Sequence, residues 1–320
     1  MSDTDKKNSL TETNSNDDID LGELFHVLWK GATLIILTTS AVAIGSIIFS
    51  LQLTNIYESQ TITAVRKNAK NYSGGLSQYS GVASMIGVEL GTSGEDKGKE
   101  IMELIKSRSF VKHLIEFEDI LPSIMAPKSF DRGSNTLIFD KEIYDPDSKV
   151  WIREPNINGS IKPTYLEAHR VYIRDLLSVS QDKLTGFIKL SIEHQSPVFA
   201  GELLELVLKE ANNLMRVKDL KESNQAIQYL KSELANTSYV EIKESIHSIM
   251  ESQLETQMLA KINDEYILTT IEPPFIPEER SSPHRALICI LSTLAAGLLS
   301  TLWVLLRHYG FPSNNKESEA

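Results

Sequence analysis

Two stretches of this chain, residues 31–57 and 286–306, contain no Asp, Glu, Lys or Arg. In a sequence whose side chains are 23% charged, two such runs constrain the fold more than any other feature. A helix rises about 1.5 Å per residue, so about 21 residues cover on the order of 30 Å, the hydrocarbon thickness of a bilayer. A soluble cytosolic enzyme is therefore not expected. The single cysteine, Cys289, lies inside the second stretch, which leaves no disulfide framework for a secreted domain. The net charge of -11 argues against nucleic acid as a partner, because phosphate binding needs a basic face.

The first stretch contains Ala41-Val42-Ala43, a pattern cleaved in secretory signals, but the residues before it are acidic. Residues 1–30 carry seven acidic side chains against three lysines, a net -4, and apolar sequence continues past the pattern to Leu53. It therefore reads as an uncleaved anchor, with Trp29 and Lys30 at one interface and Tyr57 at the other. The second stretch finishes on Trp303, Arg307 and Tyr309, again an interfacial ending. Two spans put both termini on one side, with a loop of about 230 residues on the other. Lysines and arginines fall on both sides and do not orient the pair. The expected divisions are a polar tail with a pre-membrane segment (1–30), the first span (31–53), a base (54–196), a long helical section (197–264), a return strand with connector (265–285), the second span (286–306) and a short tail (307–320).

Within the loop, 56–65 alternates apolar and polar residues as a strand does. Residues 71–98 are rich in Gly and Ser, with one short helix expected around 82–88. Helical spacing returns at 99–116 through Ile101, Leu104, Ile105, Val111 and Leu114. Residues 122–163 read as irregular, with short strands at 137–139 and 149–152. A helix is expected over 164–177 and strands over 187–193 and 266–271. Strands separated by helices give a mixed α/β or α+β base. From Glu202 to Glu272 there is no Gly or Pro. Ala200, Leu203, Val207, Ala211 and Leu214 form a stripe that Ile227, Leu230 and Leu234 resume after a more polar patch. Ser238 and Glu241 have the spacing of a capping box, so two helices in a long hairpin are preferred over one unbroken rod. The fold class is α+β, two transmembrane helices flanking a domain with a helical hairpin.

Sites of chemistry are not expected. Gly94 to Glu100 resembles a phosphate loop, but only three residues separate its glycines and Glu100 stands where Ser or Thr must bind magnesium. The seven histidines have no metal spacing, and no nucleophile elbow occurs. No catalytic, cofactor or metal-binding residue is assigned. Two structural sites are. In the second span Ser292, Ala296 and Ser300, and beside them Thr293, Gly297 and Thr301, form small-residue ridges that would let helices approach, with self-association as one use. Before that span, Pro273, Pro274, Pro277 and Pro283 favour an extended, semi-rigid connector over a helix.

Taken together the chain resembles the Wzz family of polysaccharide chain-length determinants, or polysaccharide co-polymerases. The likeness rests on Asp18-Ile19-Asp20-Leu21 and Leu28-Trp29-Lys30 before the first span, and Asn55-Ile56-Tyr57-Glu58-Ser59 after it. It continues through Ser107-Arg108-Ser109-Phe110, Ser178-Val179-Ser180-Gln181-Asp182-Lys183, Ser196-Pro197 and Asn213-Leu214-Met215-Arg216. Its most specific part runs from Tyr266 through Pro273-Pro274 and Pro277 to Ser282-Pro283-His284-Arg285. The resemblance implies a bacterial inner-membrane protein with both ends cytoplasmic and a periplasmic domain, an α/β base carrying a helical projection. It implies a high-order homo-oligomer, without catalysis or cofactor, working with a Wzy-type polymerase on a lipid-linked glycan. The absence of a kinase domain and of a tyrosine-rich tail favours the O-antigen branch over capsule or common-antigen export. A two-span sensor would need an output module, and the tail after Arg307 is too short for one.

Overall fold

The computed structural model describes residues 21–66 and 94–309; the helix expected around 82–88 lies outside them. The chain divides into two compact units, Met1–Leu53 with His284–Ala320, and Thr54–Pro283.

The first unit is a helix pair, α1 (Leu21–Gln52) and α8 (Arg285–Tyr309). Each is long and apolar enough to cross a membrane, over Phe25–Gln52 and Arg285–Tyr309. α1 begins ten residues before the boundary drawn at 31, because Lys30 interrupts the apolar run but not helical propensity. The helices run antiparallel: Gly31 meets Val304 and Gly297 meets Thr39. Ile36, Leu37, Ile47, Leu298, Leu299 and Trp303 point outward and stay exposed, an apolar surface suited to lipid. Hydroxyls inside the spans bond back to their own helices, as Thr38 Oγ1 does to Leu34 O at 2.9 Å, since hydrocarbon offers no other partner.

The second unit is built on a four-stranded sheet in the order β6-β7-β1-β8. Its strands are β1 (Tyr57–Val65), β6 (Leu177–Gln181), β7 (Ile188–His194) and β8 (Leu268–Glu272). Every pairing is antiparallel, which makes the base α+β. Register fixes the faces: Tyr57, Ser59, Thr61 and Thr63 stand opposite His194, Ile192, Leu190 and Ile188, and all eight are buried. That face packs on α2 (Gly94–Lys106), α3 (Arg108–Leu114), α4 (Ile120–Met125), α5 (Tyr165–Val171), a π-helical turn at Tyr172–Leu176, and the first half of α6 (Pro197–Asn236). Ile101, Ile105, Phe110, Leu114, Leu203 and Leu204 are fully enclosed, each contributing about 1.5–3 kcal/mol by leaving water.

The helix expected over 99–116 is two helices. Ser107 breaks it, its hydroxyl accepting from Phe110 N at 3.1 Å to cap α3. The stretch read as irregular holds α4 and two hairpins, β2 (Pro127–Asp131) with β3 (Thr136–Phe139), and β4 (Tyr144–Asp145) with β5 (Val150–Trp151).

α6 and α7 (Val240–Ile262) are separated at 237–239 and pack antiparallel. Leu230 closes with Ile246 and Ile249 in a small core of its own, and Gln257 Nε2 donates to Asn224 Oδ1 at 2.9 Å. The capping box expected at Ser238 and Glu241 does not form. Tyr239 is the N-cap and makes no side-chain cap, which moves Glu241 from the third helical position to the second, too near to reach back.

Candidate functional site

The polar patch within α6 proves to be buried. Met215, Asp219 and Ser223 carry the apolar stripe forward, with Asp219 only 5% exposed. Lys97 Nζ on α2 donates to both Asp219 oxygens at 3.0 Å, and the Tyr266 hydroxyl donates to Oδ2 at 2.6 Å. Burial, and then this hydrogen bond, hold the Tyr266 hydroxyl above its ordinary range. Two turns earlier Asn212 Oδ1 accepts from Ile267 N and Leu268 N, both at 2.9 Å, while Nδ2 donates to Leu268 O at 3.0 Å. Glu210 pairs with His113 Nε2 on α3 at 2.8 Å. Three polar residues thus fasten α6 to α2, to β8 and to α3. The sequence offered one signal for this, the polar interruption of an otherwise regular stripe.

The segment likened to a phosphate loop is the start of α2. Gly98 serves packing, since an added Cβ would lie 2.9 Å from Val65 Cγ2, and Lys97 is committed to Asp219. The histidines have separate partners: His113 with Glu210, His169 with Lys106 O, His194 with Ser123 O and Ser196 N. Among the described residues no cluster of His, Cys, Asp or Glu could hold a metal.

The proline connector is fastened along its length. Residues 273–277 belong to no helix or strand, and Pro273, Pro274 and Pro277 bring no N–H with which to continue the ladder. Buried hydroxyls of β1 take over: Thr61 Oγ1 donates to Glu272 O at 2.6 Å and Ser59 Oγ to Phe275 O at 2.7 Å. Gly201 of α6 lies close beneath, where a Cβ would sit 3.3 Å from Ile276 Cγ1. Near its end, before the cis bond at Ser282-Pro283, Ile56 N donates to Ser282 O at 2.9 Å and Ser281 N to Ile56 O at 2.8 Å. The connector therefore retraces β1 as far as Ile56, the residue before its start.

The small-residue ridges face the chain's own first span. Ser292, Thr293, Ala296, Gly297 and Thr301 are half-buried and Ser300 is buried, with Gly297 in ordinary contact with Thr39. Their hydroxyls turn back, Thr293 Oγ1 to Cys289 O and Thr301 Oγ1 to Gly297 O. Within one chain the ridge lies against the first span, a second apolar helix tethered beside it. A tighter contact was not anticipated: at Gly31 an added Cβ would lie 2.5 Å from Val304 Cγ1, against 3.6 Å from Thr39 at Gly297.

The fold is thus a pair of helices apolar enough to cross a membrane, with an antiparallel α+β domain inserted between them in the sequence and held by structural polar contacts. Residues 17–117, which take in α1, β1, α2 and α3, match the family model described as Wzz, chain length determinant protein. That is the family the sequence resembles, matched here over 101 of the 320 residues. No curated protein matches it. Among solved structures, a full-length bacterial polysaccharide co-polymerase aligns with 93% of this chain and 100% of that chain, at 13% identity and a TM-score of 0.40. That overlap is loose.

Proposed function

We propose that this protein sets the chain length of a polysaccharide, O-antigen in the first instance, as a non-enzymatic scaffold in a bacterial inner membrane. The observation that carries the reading is the chain length determinant match, which spans the first transmembrane helix and the first strand of the domain. In this reading the termini are cytoplasmic, and the domain of Thr54–Pro283 is periplasmic with α6 and α7 as its projection. Copies assemble into a homo-oligomer, with the ridges of Ser292, Ala296 and Ser300 and of Thr293, Gly297 and Thr301 as a proposed contact, and the assembly acts with a Wzy-type polymerase on a lipid-linked glycan. Pro273, Pro274, Pro277 and Pro283 couple the domain to the membrane as a strut. A scaffold that makes no bond can still bias length by altering how long a polymerase retains a growing chain.

Lipopolysaccharide ladders from a strain lacking the gene test this. Polymer should still be made, but without a preferred length. A deletion strain that keeps the wild-type modal length, or makes no polymer, removes the reading. An unchanged O-antigen with altered capsule or common antigen would transfer the role to that glycan.

A further inference from the structure

The junction between β7 and α6 turns on one enclosed imidazole. His194, the last residue of β7, is 4% exposed. Its Nε2 lies 2.9 Å from Ser123 O of α4, which can only accept, so Nε2 carries the proton. Its Nδ1 lies 3.0 Å from Ser196 N, which can only donate, so Nδ1 is bare. Ser196 is the N-cap of α6, with its hydroxyl accepting from Phe199 N at 3.2 Å, and the Phe199 ring lies 4.5 Å from the imidazole. One neutral tautomer thus joins the end of a strand to the first turn of a 40-residue helix and to α4.

We propose that His194 is an acid-sensitive latch: a proton on Nδ1 sets one N–H against the Ser196 N–H and opens the entry of α6. Among the described residues no carboxylate stands ready to hold the resulting cation. α4 contributes no titratable side chain, and the first charged residues of α6, Glu202 and Glu205, are exposed. β1 presents Tyr57 across the strand pair, its hydroxyl already accepting from Arg132 Nε at 3.0 Å. Glu58 and Glu193 occupy the adjacent pair, whose side chains lie on the opposite face of the sheet.

Burial outweighs the two backbone hydrogen bonds and lowers the imidazole from 6.5 to about 4. An opened junction therefore binds a proton below about pH 6.5, while the closed one resists until about 4. Between those values the open form holds more protons, so the closed form loses ground as pH falls. Glu193 works the other way. Burial, and then Glu58, raise its carboxyl, so acid relieves that site.

Hydrogen exchange of the full-length protein in detergent, read on amides 198–204 and corrected for intrinsic exchange, tests the latch. From pH 7 to 4.5 the opening should rise about tenfold or more. In His194→Asn, whose side-chain oxygen keeps the acceptor but does not titrate, the rise should vanish; in Glu193→Gln it should persist. A flat wild-type profile, an equal rise in His194→Asn, or loss of the rise in Glu193→Gln overturns the proposal. Should His194→Asn fail to fold, C2–H exchange of the individual histidines in the wild type decides. The His194 midpoint should lie at least one unit below 6.5, and a midpoint near 6.5 sinks the latch. None of these outcomes depends on the chain-length reading.

Discussion

At the scale of single residues, a charge in the middle of an apolar stripe decides how α6 is held. A carboxylate as enclosed as Asp219 is tolerable only with partners, and Lys97 and Tyr266 supply three hydrogen bonds from two directions. Asp219→Ala leaves the Tyr266 phenol without its acceptor and Lys97 with only Glu100, 3.8 Å away. It should cost about 2–4 kcal/mol, seen as a lower urea midpoint by Trp151 fluorescence in the full-length protein. No loss would mean water replaces the carboxylate. The sequence showed the patch and not its burial, because helical periodicity marks apolar residues, whereas the partner of Asp219 lies 122 positions away. Ser238 is the reverse case: its spacing suggested a cap that the backbone does not use.

At the scale of elements, apolar periodicity located the long helices and the strands β1, β7 and β8. It missed β6 and, between α4 and α5, β2 and β4, which are too short to carry a reliable pattern, while their partners β3 and β5 fall on the short strands expected at 137–139 and 149–152. The distal pairing of α6 with α7 rests on few residues, Leu230, Ile246 and Ile249 with Leu234 and Met250. Leu230→Asp puts an unpaired charge there and should cost several kcal/mol locally, on the order of 3. Exchange should accelerate over 224–258, while β1 and β7 stay protected and the protein stays in the membrane. Loss of protection in the sheet as well would show that the two cores are not separable.

The spans pair through a different logic, since in lipid the gain comes from close approach rather than from escape from water. Gly31 is the position with no room to spare. With Cys289→Ser, cysteines at Thr39 and Gly297 should cross-link within one chain. Gly31→Leu should reduce that yield severalfold by pushing Val304 away. An unchanged yield would show that the helices slide past the clash. From the sequence, the ridge on α8 was visible and its occupant was not, because small-residue spacing names a contact face without naming the helix that uses it.

At the scale of the whole molecule, the two charge-free runs by themselves mark the division into units, and the family match falls across the first unit into the second. Sequence does not convey where the second unit begins and ends in space. Ile56 and Ser282 are hydrogen-bonded neighbours although 226 positions separate them. The domain of 54–283, expressed alone, should therefore fold with the same strand register. Protected amides in β1, β7 and β8 after exchange would show it, and a molten domain would mean that the spans are needed to bring its ends together.

That adjacency makes the domain a cassette. Its entry and exit share one doorway, so the entropy of closing a loop of more than 200 residues is met inside the insert by β1 and its retracing connector. The host helices need supply only two attachment points a strand's width apart. A cassette of this kind can be lifted from one helix pair to another, or lengthened at the turn between α6 and α7, without moving its own two ends. Variation in the insert and variation in the anchor are thereby free to proceed independently.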